Sequence, residues 1–374
     1  MPYKICHVSS VHDSYDNRIM KKECHSLAKA GYDVYFVVAG ESFEECGVNV
    51  VGIGLKPQKR IKRMFQFSKK AVVKALEIDA DLYHLHDPEL LLYAMRFKRA
   101  GKKVVFDSHE IYRLLINQKE YLPRLLRKCI SKLYTLYENY VFDRIDGIVV
   151  PCSINGEYPY KEVKTKHAYV NNLPILEKGK CTDRIEKDSN AKFTACAING
   201  SLTYERGIKH IIQAAEIADC NLIIAGNFVS DEFEAEIRSL PYFAKVDYRG
   251  FVNRDGVKEI LAESDVGLST LLNVGQYASA DNLPTKIYDY MAAGLPVIAS
   301  NTRFIVSENK KYNFLLPVDP SNVHEIADAL IKIKENSKLG NELGENGRKV
   351  VFEKYNWEKE KDNLLTLYSS LLNC

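Results

Sequence analysis

The sequence predicts an α/β protein made of two consecutive Rossmann-like halves, each a mostly parallel sheet covered by helices, and three observations predict it. Short apolar, β-branched or aromatic runs alternate with longer stretches of helical period, which is the pattern of βαβ units. The 374 residues amount to two or three domains at about 150 residues each. Residues 173–192, LPILEKGKCTDRIEKDSNAK, interrupt the alternation with few apolar residues, many charges and no period. They mark a linker between domains 1–172 and 193–354.

Taken in order, KICHVSS (4–10) reads as the first strand, after which Asp16 caps a helix with Met20, Cys24, Leu27 and Ala28 on one face and Gly31 past its end. DVYFVVAG (33–40) is the second strand. Pro88 and Gly101 bracket the helix ELLLYAMRFKRA, and VVFDS (104–108), GIVVP (147–151) and HAYVNN (167–172) follow as strands. After the linker, FTACAING, LIIAGN, VDYRGFV, VGLSTLL and PVIASN read as strands, with helical stretches such as GIKHIIQAAEIA and TKIYDYMAA between them. Ligands of such open sheets bind beyond the carboxyl ends of the strands, so the cleft between the halves is the expected site.

Composition narrows the function. With 46% hydrophobic and 27% charged residues the chain is neither disordered nor a disulfide-stapled module. A net charge of +3 over the whole chain is too weak for nucleic-acid binding, so no nucleic-acid partner is expected. The nine cysteines fall into no C-x-x-C or Cys/His ligand spacing and read as reduced thiols. The start, MPYKICHVSS, has no leader pattern and no window has the apolar run of a membrane span. The expected location is the cytoplasm, or the cytoplasmic face of a membrane. Lys56, Lys59, Arg60, Lys62, Arg63, Lys69, Lys70 and Lys74, without an acidic residue among them, are interleaved with Ile61, Met64, Phe65 and Phe67. That segment suits either an anionic lipid surface or a solvated helix.

Two motifs carry the chemistry. NGSLTYERGIKH (199–210) follows a strand and opens a helix, so its backbone N–H groups and Arg206 suit a phosphate; an ordinary glycine turn fits equally. In DNLPTKIYDYMAAGLPVIAS (281–300), Lys286 and Asp289 lie one turn apart at a helix start, closed by Gly294 and Pro296. The carboxylate suits ribose hydroxyls and the lysine a diphosphate, while the bland alternative is a surface ion pair.

The glycine turn with R-G-I, followed by an acid, seven residues and an acid running into Y-M-A-A-G-L-P-V-I-A-S, resembles glycosyltransferase family 4. SSVHDSYDNRIMKKECHSLAKAGYDV (9–34), LYHLHDPELL (82–91) and VVFDSHEIY (104–112) look like that family's amino-terminal domain. The resemblance implies the GT-B fold, two Rossmann-like domains facing across a cleft, with a terminal helix over 355–374 that packs back on the first domain. It also implies retaining transfer of a sugar from a nucleotide-sugar donor to an acceptor, here a lipid-linked or growing surface polysaccharide.

By the same resemblance, Asp281 faces the donor sugar and Asp289 holds the ribose, although both positions carry Asp where the family usually has Glu, and Asn282 is an alternative at the sugar. Gly200, Ser201 and Arg206 form the phosphate turn; Ser201 and Arg206 stand where Arg and Lys are common, and Lys286 supplies the other cation. His109 sits beside the transferred sugar. His109, Arg206 and Lys286 are then the catalytic group, and the implied mechanism is front-face transfer without a protein nucleophile or a metal. Asp16, Asn17 and Arg18 are donor-phosphate or acceptor contacts by resemblance, or Asp16 is simply a helix cap. His84, His86 and Asp87 crowd a strand end as possible metal ligands but read better as a loop clasp, and Asp79 and Asp81 read as a turn. A nucleotide-sugar 2-epimerase and a non-catalytic partner subunit are the other classes, separable by donor turnover with and without acceptor.

Overall fold

A computed structural model describes residues 2–116, 123–176 and 192–373. Its contacts divide the chain into two compact units, Met1–Asn172 with Trp357–Cys374, and Leu173–Asn356.

The first unit holds a sheet of β1 (Lys4–Asp13), β2 (Asp33–Ala39), β3 (Phe43–Glu45), β4 (Val48–Gly52), β5 (Leu82–Leu85), β6 (Lys103–Asp107), β7 (Gly147–Val150) and β8 (Lys166–Tyr169), in the order β3-β4-β2-β1-β5-β6-β7-β8. Only β3 pairs antiparallel. Cys46 and Gly47 take positive φ between β3 and β4, the backbone that a two-residue hairpin turn requires. Every residue of β5 and β7 is buried, as expected of parallel strands covered on both faces.

The stretch after β1 is not a plain α-helix. Ile19–Cys24 is a π-helix that runs into an α-helix at His25–Lys29. Lys21 N–H reaches back to the Asp16 carbonyl and Glu23 N–H to that of Arg18, so each bond spans five residues. Met20, Cys24 and Leu27 face inside, and Glu23 among them is also fully buried. The last helix, Trp357–Leu372, packs on this same unit. Its Trp357 Nε1 donates to Ser26 Oγ at 2.8 Å, and Leu371 and Leu367 rest where Gly147 carries no side chain.

The second unit is a fully parallel sheet of β9 (Thr194–Leu202), β10 (Asn221–Phe228), β11 (Val246–Tyr248), β12 (Val266–Ser269), β13 (Val297–Ser300) and β14 (Leu315–Val318), ordered β11-β10-β9-β12-β13-β14. One apolar cluster lies on each face. Leu173, placed in the linker from sequence, is buried in one of them, because the chain joins the second core before β9 begins; residues 177–191 of that linker lie outside the described residues. Tyr290 fixes the helix Thr285–Ala292 on the sheet: its hydroxyl donates to Leu268 O and accepts from Ile198 N–H. The ring lies where Gly267 has no Cβ.

Candidate functional site

In the second unit β9, β12 and β13 are neighbours, so the segments that leave their carboxyl ends share one sheet edge. Beyond β9 a 3₁₀ turn over Tyr204–Arg206 leads into Gly207, at φ 68°, and then the helix Ile208–Ile217. A Cβ at Gly207 would be built onto the carbonyl oxygen of Thr270, just after β12, whereas a Cβ at Gly200 meets nothing within 4 Å. The two glycines therefore differ in kind: Gly207 lets two backbones touch, and Gly200 leaves open space beside the exposed Ser201. Leu272 N–H donates to Glu205 O at 2.9 Å and ties the β12 loop to the same turn.

Arg206 stands over the ring of Tyr277, 5.6 Å from its centre, and makes no ion pair among the described residues. The helices Ile208–Ile217 and Thr285–Ala292 both start at this edge without a side-chain cap. Their first N–H groups thus remain available to an anion or water. Lys286 Nζ and Asp289 Oδ2 pair at 2.9 Å, so the lysine and the carboxylate predicted to serve different parts of one ligand hold each other here. Asp281, only 11% exposed at its side chain, takes Arg303 Nη2 at 2.6 Å, and Asn282 beside it is half-buried. Sequence reading missed Arg303 and Tyr277; the one available signal, for Arg303 alone, was a basic residue two positions after the strand PVIASN.

In the first unit the carboxyl ends of β1, β5 and β6 are likewise adjacent. Asp87 accepts from Ser9 Oγ, Ser10 N–H and Val11 N–H at 2.9, 2.6 and 3.1 Å, a loop clasp rather than a free ligand. Asp16 accepts from the N–H groups of Arg18 and Ile19, both at 2.8 Å, and meets His12 Nδ1 at 2.9 Å. Burial would raise its carboxyl, but the His12 bond and these N–H groups hold it well below the usual range. Asp16 is thus a cap.

Arg18 lies in the core, not on the loop surface. Its guanidinium is spent on Asp107, with Nη2 2.9 and 3.0 Å from the two carboxylate oxygens, and on the carbonyl of Val170. A phosphate therefore cannot use it, and of the three loop residues only Asn17 is exposed. Arg18 Nε also lies 3.1 Å from Glu23, so one buried cation faces two acids. Burial raises both carboxyls; Arg18 outweighs it at Asp107, which is held well below the usual range, while at Glu23 burial and the nearby Asp107 push the carboxyl well up.

His109 follows β6 with its side chain 20% exposed and Nε2 3.4 Å from Asp107 Oδ2; burial pushes its imidazole down to about 3. Behind it His86, His7 and His84 are buried. His7, Glu23, His84 and His86 bring one potential metal-ligating atom each within 4.8 Å of one another, as do His86, Asp107 and His109, and at the surface His25, Glu45 and Cys46. His7 Nδ1 and His86 Nε2 are 2.8 Å apart, a hydrogen bond between the nitrogens that a metal would need to separate. Among the described residues no helix is long and apolar enough to cross a membrane.

Residues 182–350 match the family model of glycosyl transferases group 1, and residues 17–157 that of glycosyltransferase family 4. An uncharacterized glycosyltransferase of Methanocaldococcus jannaschii is 28% identical over 176 residues, 45% of this chain, and the match spans only 43% of that relative's length. Sucrose-phosphate synthase from Thermosynechococcus elongatus superposes with a TM-score of 0.77 at 14% identity, covering 99% of both chains. HepE of Anabaena, solved with UDP and glucose, superposes with a TM-score of 0.70 at 13% identity, covering 99% of this chain and 100% of its own.

Proposed function

We propose, from the premise that this chain is a glycosyltransferase of the GT-B type, that it moves a sugar with retention from a nucleoside-diphosphate donor held at the carboxyl edge of the second sheet. The observation that carries the reading is Arg206, a cation without an acidic partner among the described residues, at a turn where two helices begin uncapped. Arg206 binds the diphosphate, and the helix dipoles add positive potential to it. When donor binds, Lys286 turns from Asp289 to the phosphate and Asp289 to the ribose. Asp281, steered by Arg303, and Asn282 face the sugar.

In the transfer the bond from the anomeric carbon to the phosphate oxygen breaks and the bond to the acceptor oxygen forms on the same face. The acceptor proton passes to the departing phosphate. The two cations stabilise the charge that develops there, which is the work a metal would otherwise do, so turnover is metal-independent.

We assign the acceptor to a lipid-linked sugar. Ile61 and Phe65 are 73% and 55% exposed within the basic segment, and helix Arg124–Phe142 exposes Leu125, Leu126, Leu133, Leu136 and Tyr140 beside Lys128 and Lys132. Apolar side chains rimmed by cations suit an anionic leaflet.

Calorimetric titration of the full chain with UDP, GDP, ADP and the corresponding nucleosides tests the donor site. Arg206→Ala weakens the diphosphates by about 1.5–3 kcal/mol, roughly tenfold to a hundredfold, and leaves the nucleosides unchanged. Asp289→Asn weakens both, because the ribose is common to them. Unchanged diphosphate affinity in a folded Arg206→Ala protein removes the basis of the reading.

A further inference from the structure

Inside the first unit, three histidines and an acid that the transfer step does not use converge. His7 on β1 pairs in register with His84 on β5, and His86 stands two residues further along β5, so all three rings leave the same face of the sheet. Glu23 meets them from Ile19–Cys24, and all four side chains are buried.

His7 Nδ1 and His86 Nε2 lie 2.8 Å apart, and Glu23 Oε2 lies 4.0 Å from each. A triangle with those sides has a centre about 2.1 Å from every corner, the length of a zinc–nitrogen or zinc–oxygen bond. His84 brings a fourth ligand-type atom within 4.8 Å of the others. A second observation points to a cation here: His84 Nε2 and both Glu23 oxygens are buried without a hydrogen-bond partner among the described residues. Arg18 Nε stands 3.1 Å from Glu23 Oε1, the other oxygen, but its guanidinium is already bound to Asp107. Buried polar atoms left so cost free energy that a bound ion recovers.

The far nitrogens of the rings are held as those of metal ligands are, against a group that fixes the ring. His7 Nε2 and His84 Nδ1 lie 3.4 and 2.7 Å from the Tyr368 hydroxyl of the terminal helix. His86 Nδ1 lies 3.5 Å from Asp107 Oδ2 and 3.1 Å from His109 Nε2. Burial keeps the imidazoles of His7, His84 and His86 low, so an ion meets neutral rings.

We propose that His7, His84, His86 and Glu23 form a closed structural site for one divalent transition-metal ion, zinc in the first place, which clamps β1, β5 and the segment Ile19–Cys24 together. Three imidazoles and one carboxylate suit zinc better than magnesium or calcium, which take oxygen ligands. A tetrahedral ion holds two ligand nitrogens about 3.4 Å apart, so loading widens the His7–His86 contact by about 0.6 Å. The alternative grouping of His86, Asp107 and His109 shares His86 with this one, and its carboxylate is committed to Arg18. With four protein ligands and no exposed member, the ion has no open position for a substrate. The site is therefore independent of the donor reading and leaves the transfer step without a metal.

Elemental analysis of the full chain, purified without chelator or a histidine tag, tests this. The wild type carries close to one zinc per chain. His7→Gln and His86→Gln each cut that about tenfold or more, while His324→Gln, exposed in the second unit, leaves it unchanged. Tyr368→Phe keeps the ring, removes the oxygen behind two of the ligands and weakens zinc about tenfold to a hundredfold in competition with a chelating dye. Zinc X-ray absorption of the wild type shows four nitrogen or oxygen neighbours at about 2.0–2.1 Å, with the outer scattering of three imidazoles. Less than about a tenth of an equivalent in a wild type expressed and refolded with zinc overturns the proposal, as does zinc that both histidine variants retain. Sulfur neighbours or fewer than three imidazoles in the absorption spectrum also overturn it, and that spectrum decides the matter where the variants do not fold.

Discussion

Replacing Gly207 with alanine adds one methyl group where the backbone has φ 68° and the Thr270 carbonyl already occupies the space. A left-handed residue with a Cβ costs about 1–2 kcal/mol. Forcing a methyl into a closed contact with backbone costs about 1–3 kcal/mol more. The sum, about 2–5 kcal/mol, corresponds to a fall in Tm on the order of 4–20 °C for a unit of this size. Gly200→Ala is the control: its Cβ meets nothing within 4 Å, so its Tm stays within about 1–2 °C of wild type, as expected for a change of a few tenths of a kcal/mol. Its effect falls on ligand, because the methyl projects into the space beside Ser201 assigned to the diphosphate. Differential scanning fluorimetry with and without UDP reads both effects. Equal Tm values for Gly207→Ala and wild type, or equal losses at both glycines, would refute the argument that one glycine serves packing and the other access.

Further outcomes follow from other contacts. Burial would raise the Glu308 carboxyl, but Lys311, Lys354 and Tyr355 bring it down to about 2 from an ordinary 4.5. Its contribution to stability is therefore fully present above pH 4.5 and lost as the pH falls toward 2; unfolding curves of Glu308→Gln should show less loss across that window, and an identical pH profile counts against the cluster. Trp357→Phe removes the donor to Ser26 Oγ and part of a buried ring, lowering stability by about 1–3 kcal/mol in thermal unfolding. Co-sedimentation with anionic vesicles should exceed that with neutral ones and fall in a Phe65→Glu, Leu133→Glu double variant; equal binding to both lipids would remove the support for a lipid-linked acceptor.

The division into two α/β halves was legible in the sequence because strand and helix periods are local. The same holds for the helix bracketed by Pro88 and Gly101, observed over Leu91–Arg99, and for the cap at Asp16. The turn before Lys286 and the placement of Arg206 at a helix start were also legible, since glycine, proline and the first polar residue of a helix act on their immediate neighbours.

What only the tertiary structure decided are the partners. Arg18 reads as a loop cation, yet Asp107, far along the chain on β6, claims it; Asp281 is claimed by Arg303, and Leu173 by the second core. Glu23 lies one turn before Leu27, on the buried side of Ile19–Cys24, and only the tertiary structure supplies the Arg18 and Asp107 neighbours that let an acid sit there. Four histidines scattered from 7 to 109 become one hydrogen-bonded line because a parallel sheet sets β1, β5 and β6 side by side and the terminal helix brings Tyr368 back to them. Periodicity reports which face of an element is buried, but the choice of partner across that face depends on strand order and on where the chain returns.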